Sequence, residues 1–307
     1  MKYITFTIPS YNSQEYMRHV IDNLVAVGDD IEVIIVNDGS KDDTGKIADE
    51  YQNKYPTIVK AIQKENGGHG SGVMAGIHNA TGIYYKVVDS DDWVETADVI
   101  NMLDLIKKHM AEGLDIDLYI TNYVYEHAAD NSQFVMHYRK CLPAEKAFTW
   151  KEMKHVKLET VFLMHSLMYK LDKLKASGME LPNHTFYVDD IYAYVPLPHM
   201  GKVFYHDLDF YHYKHDGVYV EETHFGSVFL FIVNTLNVLS GSLISCDGVF
   251  PVEIAFSVFV TEVKAHKHRY YHKYEQYRVD HYDNYERCDC GDDVTEINAE
   301  FNREVNR

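Results

Sequence analysis

Three carboxylates directly after an apolar segment carry the clearest chemistry in this sequence. The segment Val87-Val88-Asp89-Ser90-Asp91-Asp92-Trp93 has the apolar start of a buried strand and then three acids within four residues. Two carboxylates separated by one residue at a strand end can hold a divalent cation together, because such ions prefer oxygen ligands and keep several waters. The phosphates of a nucleotide could complete the coordination shell. The alternative is an acidic loop that caps the next helix, since Asp is favoured at helix N-termini. The segment by itself favours neither interpretation.

Alternating strands and helices must position these acids. Short β-rich runs with apolar residues on both faces alternate with amphipathic segments. We predict strands over residues 3–8, 31–36, 57–62 and 83–88, and helices over residues 14–27, 42–55, 71–80 and 96–110. Strands of this kind suit a parallel sheet covered by helices on both faces. Right-handed β-α-β crossovers then produce an open sheet, so the expected fold class is α/β with a mostly parallel sheet.

Three polar loops follow predicted strands. They are Pro9-Ser10-Tyr11-Asn12, Asn37-Asp38-Gly39-Ser40 and Asp89-Ser90-Asp91-Asp92. Ligands of open α/β sheets lie beyond the carboxyl ends of the strands. Because the three loops share that edge, their convergence favours the cation site over an isolated acidic cap.

The same loops carry a family resemblance. Four segments occur in the expected order: Thr7 to Asn12, Val36 to Asp42, the glycine-bearing Asn66-Gly67-Gly68-His69-Gly70, and the Asp-x-Asp sequence Asp89-Ser90-Asp91. With these motifs the chain resembles an inverting family 2 glycosyltransferase with a GT-A fold, a Rossmann-like fold of nucleotide-diphospho-sugar transferases. The resemblance is dense over about the first 100 residues and thins afterwards. Four ordered motifs are far more specific than a single glycine motif.

The resemblance implies roles at the nucleoside end. Asp38 corresponds to the acidic residue that contacts the nucleoside, with Pro9, Tyr11 and Asn12 around the base and ribose. For Asp38 the alternative is an Asx-type turn with Gly39, which Asp favours by bonding its own backbone. Both roles can hold together.

The resemblance also implies a cation on the donor's pyrophosphate, either Mn²⁺ or Mg²⁺. Asp91 corresponds to the direct metal ligand. Asp89 and Ser90 correspond to the donor-sugar or ribose side of the motif, and Asp89 is also a second candidate ligand. Gly67 belongs to the glycine-bearing loop of the donor site. The glycines around His69 can simply end a strand and start a helix, and we favour that interpretation over a specific His69 contact because glycine motifs are weak alone.

An inverting transfer needs a base that takes the proton from the acceptor hydroxyl. The segment Phe186 to Tyr192 resembles the family's later acidic motif, usually Glu-Asp, which supplies this base. Here the pair is Asp189-Asp190, and we favour Asp190 by alignment to the second acid, with Asp189 as the other candidate. The alternative is an acidic helix start after Thr185, because helix N-termini recruit acids.

The acceptor side departs from the family pattern. Many relatives carry Gln-x-x-Arg-Trp, which occurs nowhere in this chain, and the corresponding stretch runs from Tyr211 to Val218. This argues against a processive cellulose- or hyaluronan-like synthase. Three histidines and a lysine there are candidates to hold phosphate or metal: His206, His212, His215 and Lys214. We favour a structural role for them.

Composition and charge narrow the partners and the compartment. The net charge of −18 opposes a nucleic-acid backbone as main partner. Four cysteines do not form a dense disulfide framework, so we expect a reducing compartment and unliganded thiols. The N-terminus shows no secretory signal pattern, and the apolar stretch from Val228 to Ser245 is too polar for a membrane span. We therefore expect a cytoplasmic protein.

The division of the chain follows from these patterns. We predict a catalytic domain over residues 1–216, with a nucleotide-sugar-binding part to about residue 115 and an acceptor part from about 116, followed by a helical C-terminal region over 217–307. Tyrosines at helical spacing from Tyr270 to Tyr285 trace one face of that region, which packs against the catalytic domain in one interpretation. Locally basic residues from Lys264 to Arg287 give a second hypothesis, peripheral contact with anionic lipid at the inner face of the membrane.

The resemblance predicts a metal-dependent enzyme of the hexosyltransferase type. It moves a sugar from a nucleotide-diphosphate sugar, with a UDP-sugar favoured, to a saccharide or lipid-linked acceptor with inversion. The altered segment after Tyr211 motivates an alternative, a nucleotide-sugar-binding pseudoenzyme or interaction module that lacks a working acceptor site. A nucleotidyltransferase is disfavoured, because the chain shows no basic glycine-rich triphosphate loop near its N-terminus.

Overall fold

The computed structural model describes residues 1–127, 130–153, 162–185 and 188–215. Our expectations for the helical C-terminal region, its tyrosine face and its basic patch lie outside these residues, as do the apolar stretch from Val228 to Ser245 and three of the four cysteines. The fourth, Cys141, is a buried free thiol. Within the described ranges, no helix is both long and apolar enough to cross a membrane.

The N-terminal half is a regular β-α-β array. Its four strands pair in parallel in the order β3-β2-β1-β4, with Ile4 of β1 level with Ile31 of β2 and Tyr84 of β4. The elements are β1 (Ile4–Ser10), α1 (Met17–Val25), β2 (Ile31–Asp38), α2 (Thr44–Lys54), β3 (Val59–Lys64), α3 (His69–Asn79) and β4 (Tyr84–Val87). The predicted alternation is confirmed, with element ends that differ from the prediction by a few residues.

Helices cover both faces of this parallel sheet. The chain steps from β1 to β2 to β3 in one direction and then returns to β4, so right-handed crossovers place α1 and α2 on one face and α3 on the other. An ion pair between Arg18 of α1 and Glu50 of α2 joins the two helices that share a face. Every residue of β1, β2 and β4 is buried, which explains why these strands are apolar on both sides.

The second half of the sheet is mixed in direction. It continues from β4 in the order β9-β6-β10-β5, with β7 on β6 and β8 on β10. Only β10 and β6 pair in parallel there; β4 with β9, β6 with β9, β6 with β7, β10 with β8 and β10 with β5 are antiparallel. The elements are β5 (Trp93–Val94), α4 (Thr96–Ala111), β6 (Leu118–His127), β7 (Ser132–Met136), β8 (Ala147–Phe148), β9 (Leu167–Lys170), α5 (Leu171–Ala176), α6 (Val188–Tyr194) and β10 (Val203–His215).

Strand β10 pairs with β5, the short strand that follows the acidic loop. Its residues Tyr211 and His212 pair with Val94 and Trp93, directly after the three carboxylates. The register of β10 against β6 shifts between Tyr205 and Tyr211, and such irregularities re-aim the side chains of a strand. The irregular aromatic stretch of the sequence is therefore a strand pair that reaches back to the candidate site.

Buried tyrosines fill much of the core, and several place their hydroxyl on a backbone carbonyl. The Tyr84 hydroxyl donates to the carbonyl of Ile116 at 2.8 Å, and that of Tyr85 to the carbonyl of Val73 in α3 at 3.0 Å. A buried hydroxyl without a partner is costly, so these bonds fix the packing of the sheet against its helices.

Candidate functional site

A cavity of about 420 Å³ opens at the carboxyl edge of the parallel strands. Its volume lies in the range of small-molecule sites. All three predicted loops contribute, together with the glycine-bearing loop, and the lining residues are Pro9, Ser10, Tyr11, Asp38, Asn66, Gly68, His69, Asp89, Ser90 and Asp91. Asn12 and Gly67, which we also expected at the donor, do not line the cavity.

Asn12 joins the first loop to the second. Its backbone is left-handed, with φ of 51°, and its N–H donates to Ser40 Oγ at 2.9 Å. Its side-chain Oδ1 accepts from the N–H of Lys41 at 2.9 Å. Asn12 therefore joins the loop after β1 to the loop after β2. The Asx-type turn of the second loop is made by Asn37, whose Oδ1 accepts from the Ser40 N–H at 3.1 Å.

Asp38 organises the glycine-bearing loop. Its side chain is 4% exposed and forms an ion pair with Lys64. The carboxylate also accepts from the N–H of Gly67 at 3.0 Å and of Gly68 at 2.7 Å. Gly68 has a φ of 83°, a conformation that glycine adopts without strain. The carboxylate thus bonds the loop that begins α3, and not its own turn with Gly39, while it still lines the cavity.

His69 makes the specific contact that we did not favour from the sequence. It is the first residue of α3, and its Nε2 donates to Asp89 Oδ1 at 2.8 Å. Burial by itself lowers the pKa of His69, but the charge of Asp89 and its hydrogen bond, with smaller contributions from Asp189 and Asp91, raise that pKa overall. The glycines do start the helix, as predicted, and they also bring this imidazole to the acidic loop.

Asp92 is held from behind by β10. The hydroxyl of Tyr211 donates to Asp92 Oδ2 at 2.6 Å and accepts from the Asp89 N–H at 3.1 Å. Asp92 Oδ1 accepts from the Lys214 N–H at 2.9 Å. Burial, and then the charge of Asp89, raise the pKa of Asp92 well above its usual value.

The acidic loop does not cap the next helix. Helix α4 begins only at Thr96, its N-cap is Glu95, which makes no side-chain capping bond, and the short strand β5 separates it from the acids. The helix-cap interpretation of the opening segment is therefore wrong.

Two of the acids and a histidine form a group that fits a divalent cation. One ligand atom each from Asp89, Asp92 and His165 lies within 4.8 Å of the other two. Burial opposes ionisation of Asp89, but His69 in particular holds the pKa of Asp89 below its usual value. Burial also lowers the pKa of His165 to about 4, so its imidazole is neutral, the form that binds metals. Asp91 is exposed, lies outside this group and lines the cavity.

Asp189 and Asp190, the two candidates for the catalytic base, lie in the first turn of α6. That helix packs near α3, where a Cβ built on Gly70 would lie 3.1 Å from Val188 Cγ1. Burial, and then the charge of Asp189, raise the pKa of Asp190 to about 7. The charge of Asp189 also acts to raise the pKa of both His69 and His165, although burial lowers the pKa of His165 overall. The two acids do stand at the start of a helix, as the alternative interpretation predicted.

Two histidines of β10 have protein partners. His212 Nδ1 donates to Glu126 Oε1 at 2.7 Å, and its ring stacks on Trp93 with centroids 5.2 Å apart. His206 Nδ1 donates to Glu145 Oε1 at 2.9 Å. These contacts agree with the structural role that we favoured for the altered segment.

Comparison with known proteins decides the family. Residues 5–170, more than half of the chain, match the model of glycosyl transferase family 2. The chain belongs to this family. The family-model match thus spans the donor loops, β6 and β9, and it ends before the acidic pair of α6.

Curated relatives in the family are glycosyltransferases. The chain is 29% identical over 192 residues to glycosyltransferase GlyA of Streptococcus pneumoniae, which covers 57% of this chain and 27% of GlyA. It is 31% identical over 212 residues to the putative glycosyltransferase EpsH of Bacillus subtilis, which covers 64% of this chain and 60% of EpsH. The aligned part of this family 2 chain therefore spans about a quarter of one relative and three fifths of the other.

Solved structures support the GT-A fold. S. aureus TarS in complex with UDP-GlcNAc aligns with a TM-score of 0.57 and 21% identity over 77% of this chain and 67% of that structure. The TarS complex with UDP aligns with a TM-score of 0.56 and 20% identity over 77% of this chain and 66% of that structure. At such identities the likeness concerns the fold, which is the mixed, largely parallel sheet with helices that the resemblance implied.

Sequence reasoning missed two contributors to the site, His165 and Tyr211, whereas Asp92 belongs to the acidic loop that it predicted. His165 lies 76 residues after Asp89, so no local spacing links them. Tyr211 stood in the segment that we noted only as a departure from the family pattern. Neither residue has a local signal in the sequence. The ion pair of Asp38 did have one, because Lys64 stands two residues before the glycine-bearing loop.

Proposed function

We propose that this protein is a metal-dependent, inverting glycosyltransferase that uses a nucleoside-diphosphate sugar, with UDP as the best-supported nucleotide. The observation that carries the proposal is one cavity in which Asp38 and the pair Asp89 and Asp91 line the same space, at the ligand-binding edge of an α/β sheet. The family membership and the UDP complexes of TarS, which share the fold, support the choice of donor.

The nucleoside end combines an aromatic ring with an acceptor. Tyr11 is 47% exposed at the cavity, and Pro9 lies beside it. An exposed aromatic ring can stack on a base. The Asp38 carboxylate accepts from Lys64 and the two glycine amides, and the Gly67 N–H contacts both of its oxygens. The carboxylate also lines the cavity, where it would meet a hydroxyl or N–H of the nucleoside.

The diphosphate end holds the cation. Asp89 and Asp91 are the proposed ligands from the Asp-x-Asp motif, and Ser90 between them is buried and bonded to Ser13 at 2.8 Å, which fixes the turn. When bound, Mn²⁺ or Mg²⁺ neutralises the charge that develops on the leaving diphosphate. The protein contributes the position of the acids, which Tyr211 and His69 hold from two sides.

The acceptor end supplies the base. As the acceptor oxygen attacks the anomeric carbon, the bond from that carbon to the diphosphate breaks, and a carboxylate of α6 takes the hydroxyl proton. Asp190 is the first candidate because burial and the charge of Asp189 raise its pKa to about 7. A base with a pKa near the working pH transfers protons most effectively. Asp189 remains the second candidate, because its charge acts on both histidines of the site.

The test measures donor binding and transfer separately. Calorimetry with UDP and Mn²⁺ reports the donor site, and UDP release from a panel of UDP-sugars with saccharide and lipid-linked acceptors reports transfer. We expect binding and acceptor-dependent UDP release, both lost in Asp91→Asn and kept in Asp104→Asn, an exposed acid on α4. UDP binding without transfer or hydrolysis across the panel would favour the pseudoenzyme. Vesicles that carry the lipid-linked acceptor separate the two acceptor classes and test the proposed peripheral contact.

A further inference from the structure

His165 has an unexplained nitrogen. It lies in the 3₁₀ turn Met164–Ser166 that leads into β9, and it is 8% exposed. Its Nδ1 is buried and has no hydrogen-bond partner among the described residues. A buried polar atom left in this state is destabilising, and native proteins contain few of them. The position therefore needs a reason other than packing.

The histidine is held in place without that nitrogen. Lys86, a buried lysine of β4, donates from Nζ to the carbonyl oxygen of His165 at 2.6 Å. The ring packs against three tyrosines, with centroid distances of 4.7 Å to Tyr211, 5.0 Å to Tyr213 and 5.8 Å to Tyr123. The backbone bond and the ring contacts fix the imidazole, so Nδ1 needs no structural bond and stays available for a ligand.

The imidazole faces the two best-held acids. Its ligand atom and those of Asp89 and Asp92 lie within 4.8 Å of one another. Two ligands that each lie about 2.2 Å from one ion are at most about 4.4 Å apart. Only a small inward movement therefore separates this arrangement from coordination. Tyr211 contacts both acids, and Lys214 N–H holds the second oxygen of Asp92, so the acids are already oriented.

We propose that His165 supplies an imidazole ligand to the divalent cation, beside Asp89, and that this ligand makes the site prefer Mn²⁺ or Co²⁺ to Mg²⁺. The inference rests on the proposed function for the presence of the cation. Carboxylates and water suit Mg²⁺ and Mn²⁺ alike, whereas an imidazole suits transition metals, whose affinities rise from Mn²⁺ towards Co²⁺. Residue 165 therefore sets which ion the active site selects.

The first experiment reads the ligand directly. The full chain is labelled with ¹⁵N-histidine and loaded with Mn²⁺, with and without UDP, and pulsed electron paramagnetic resonance detects ¹⁵N coupled to the ion. We expect a directly bound histidine nitrogen in the unsubstituted protein, lost in His165→Asn and kept in His69→Asn. His69 is the matched control, because it also contacts Asp89 but uses its Nε2 on that carboxylate.

The second experiment measures selectivity by calorimetry. We expect His165→Asn to weaken Mn²⁺ binding about 10- to 100-fold, the scale seen when a group that supports a metal site is lost. Mg²⁺ binding should change less than about threefold, because its oxygen ligands stay. Thermal unfolding of each variant checks its fold, and the unsubstituted protein tests the coupling even if a variant fails to fold.

The outcomes separate this inference from the proposed function. Bound Mn²⁺ without histidine coupling, or coupling that persists in His165→Asn, overturns the role of His165 while UDP binding and transfer leave the function standing. Coupling without any UDP binding supports the ligand and overturns the donor assignment. A protein that binds no Mn²⁺, with or without UDP, overturns both.

Discussion

Acids lie at the ends of β2 and β4, two parallel strands that flank β1, and they are satisfied in opposite ways. At the end of β2, Asp38 is neutralised by Lys64 and bonded by two glycine amides. After β4, Asp89, Asp91 and Asp92 lie together, and His69 donates to Asp89. The first strand end pairs its single acid with a cation, whereas the second gathers three carboxyl groups within four residues.

The difference indicates that the end of β2 shapes the site and that the end of β4 needs a ligand. A buried acid with an ion pair and backbone donors stabilises a loop, and Asp38 does this for the start of α3. Clustered acids repel one another unless a cation joins them. The β4 end is therefore expected to gain stability from a divalent ion, and the β2 end is not.

Removal of a cation ligand should have the largest effect. We expect Asp91→Asn to lower kcat/KM at least about 100-fold, because the charge of the leaving diphosphate is no longer compensated. UDP affinity should also lose its dependence on Mn²⁺. Steady-state UDP release and calorimetry measure both, with Asp104→Asn as control. Unchanged turnover in Asp91→Asn would contradict the claim that the acids after β4 hold a cation and that Asp38 at the end of β2 does not.

Removal of the base should have a similar or somewhat smaller effect. We expect Asp190→Asn to lower kcat about 100- to 10,000-fold with little change in UDP binding, the range for a lost general base. In the unsubstituted enzyme, kcat should rise with pH to a plateau above about pH 7, because Asp190 must be ionised and its pKa is raised to about 7. The pH profile of kcat measures this. A larger loss in Asp189→Asn than in Asp190→Asn would reverse the assignment.

Stability changes of different sign should sharpen the comparison. Asp38→Asn leaves the largely buried Lys64 without its carboxylate, so we expect a loss of about 3 kcal/mol in the free energy of unfolding. The double variant Asp38→Asn with Lys64→Met should recover part of it. Asp91→Asn relieves repulsion at an exposed position and should be neutral or slightly stabilising without metal. Urea unfolding measures all three, and equal losses at both ends would contradict the account.

A smaller effect concerns stability against pH. The folded pKa of Asp190 lies above the ordinary carboxyl value, so the folded state binds its proton more tightly and loses stability as pH rises from about 4 to about 7. Asp190→Asn lacks this loss. Each unit of pKa corresponds to about 1.4 kcal/mol, and partial exposure reduces the effect, so we expect the variant to gain about 1–2 kcal/mol over that window. Urea unfolding at several pH values tests it, and a constant difference would refute it.

Local patterns predict the N-terminal half of the fold well, and they predict the second half poorly. The strands from Ile4 to Val87 alternate with amphipathic helices, so period and loop chemistry suffice. The stretch from Leu118 to Tyr125 forms a strand that pairs with the nearby β7 and with two strands distant in the sequence, β9 and, beyond residue 200, β10. Residues 118–124 are buried on both faces of that strand, which removes the polar and apolar alternation that a sequence pattern needs.

The same reason divides the candidate site. Asp89 and Asp91 were predictable because their spacing and the strand before them are local. His69 could be located but not its contact, since the bond to Asp89 depends on how α3 meets β4. His165 and Tyr211 enter from separate strands, 76 and 122 residues after Asp89. Contacts of this kind depend on sheet order, which local residue patterns do not encode.

The most direct test of the central claim is calorimetric titration of UDP into the protein with and without Mn²⁺. If the acids after β4 hold the cation on the diphosphate, Mn²⁺ should tighten UDP binding at least tenfold, or about 1.4 kcal/mol. That gain should vanish in Asp91→Asn and persist in Asp38→Asn, even though the latter binds UDP more weakly. UDP affinity that is the same with and without Mn²⁺ in the unsubstituted protein would contradict the account.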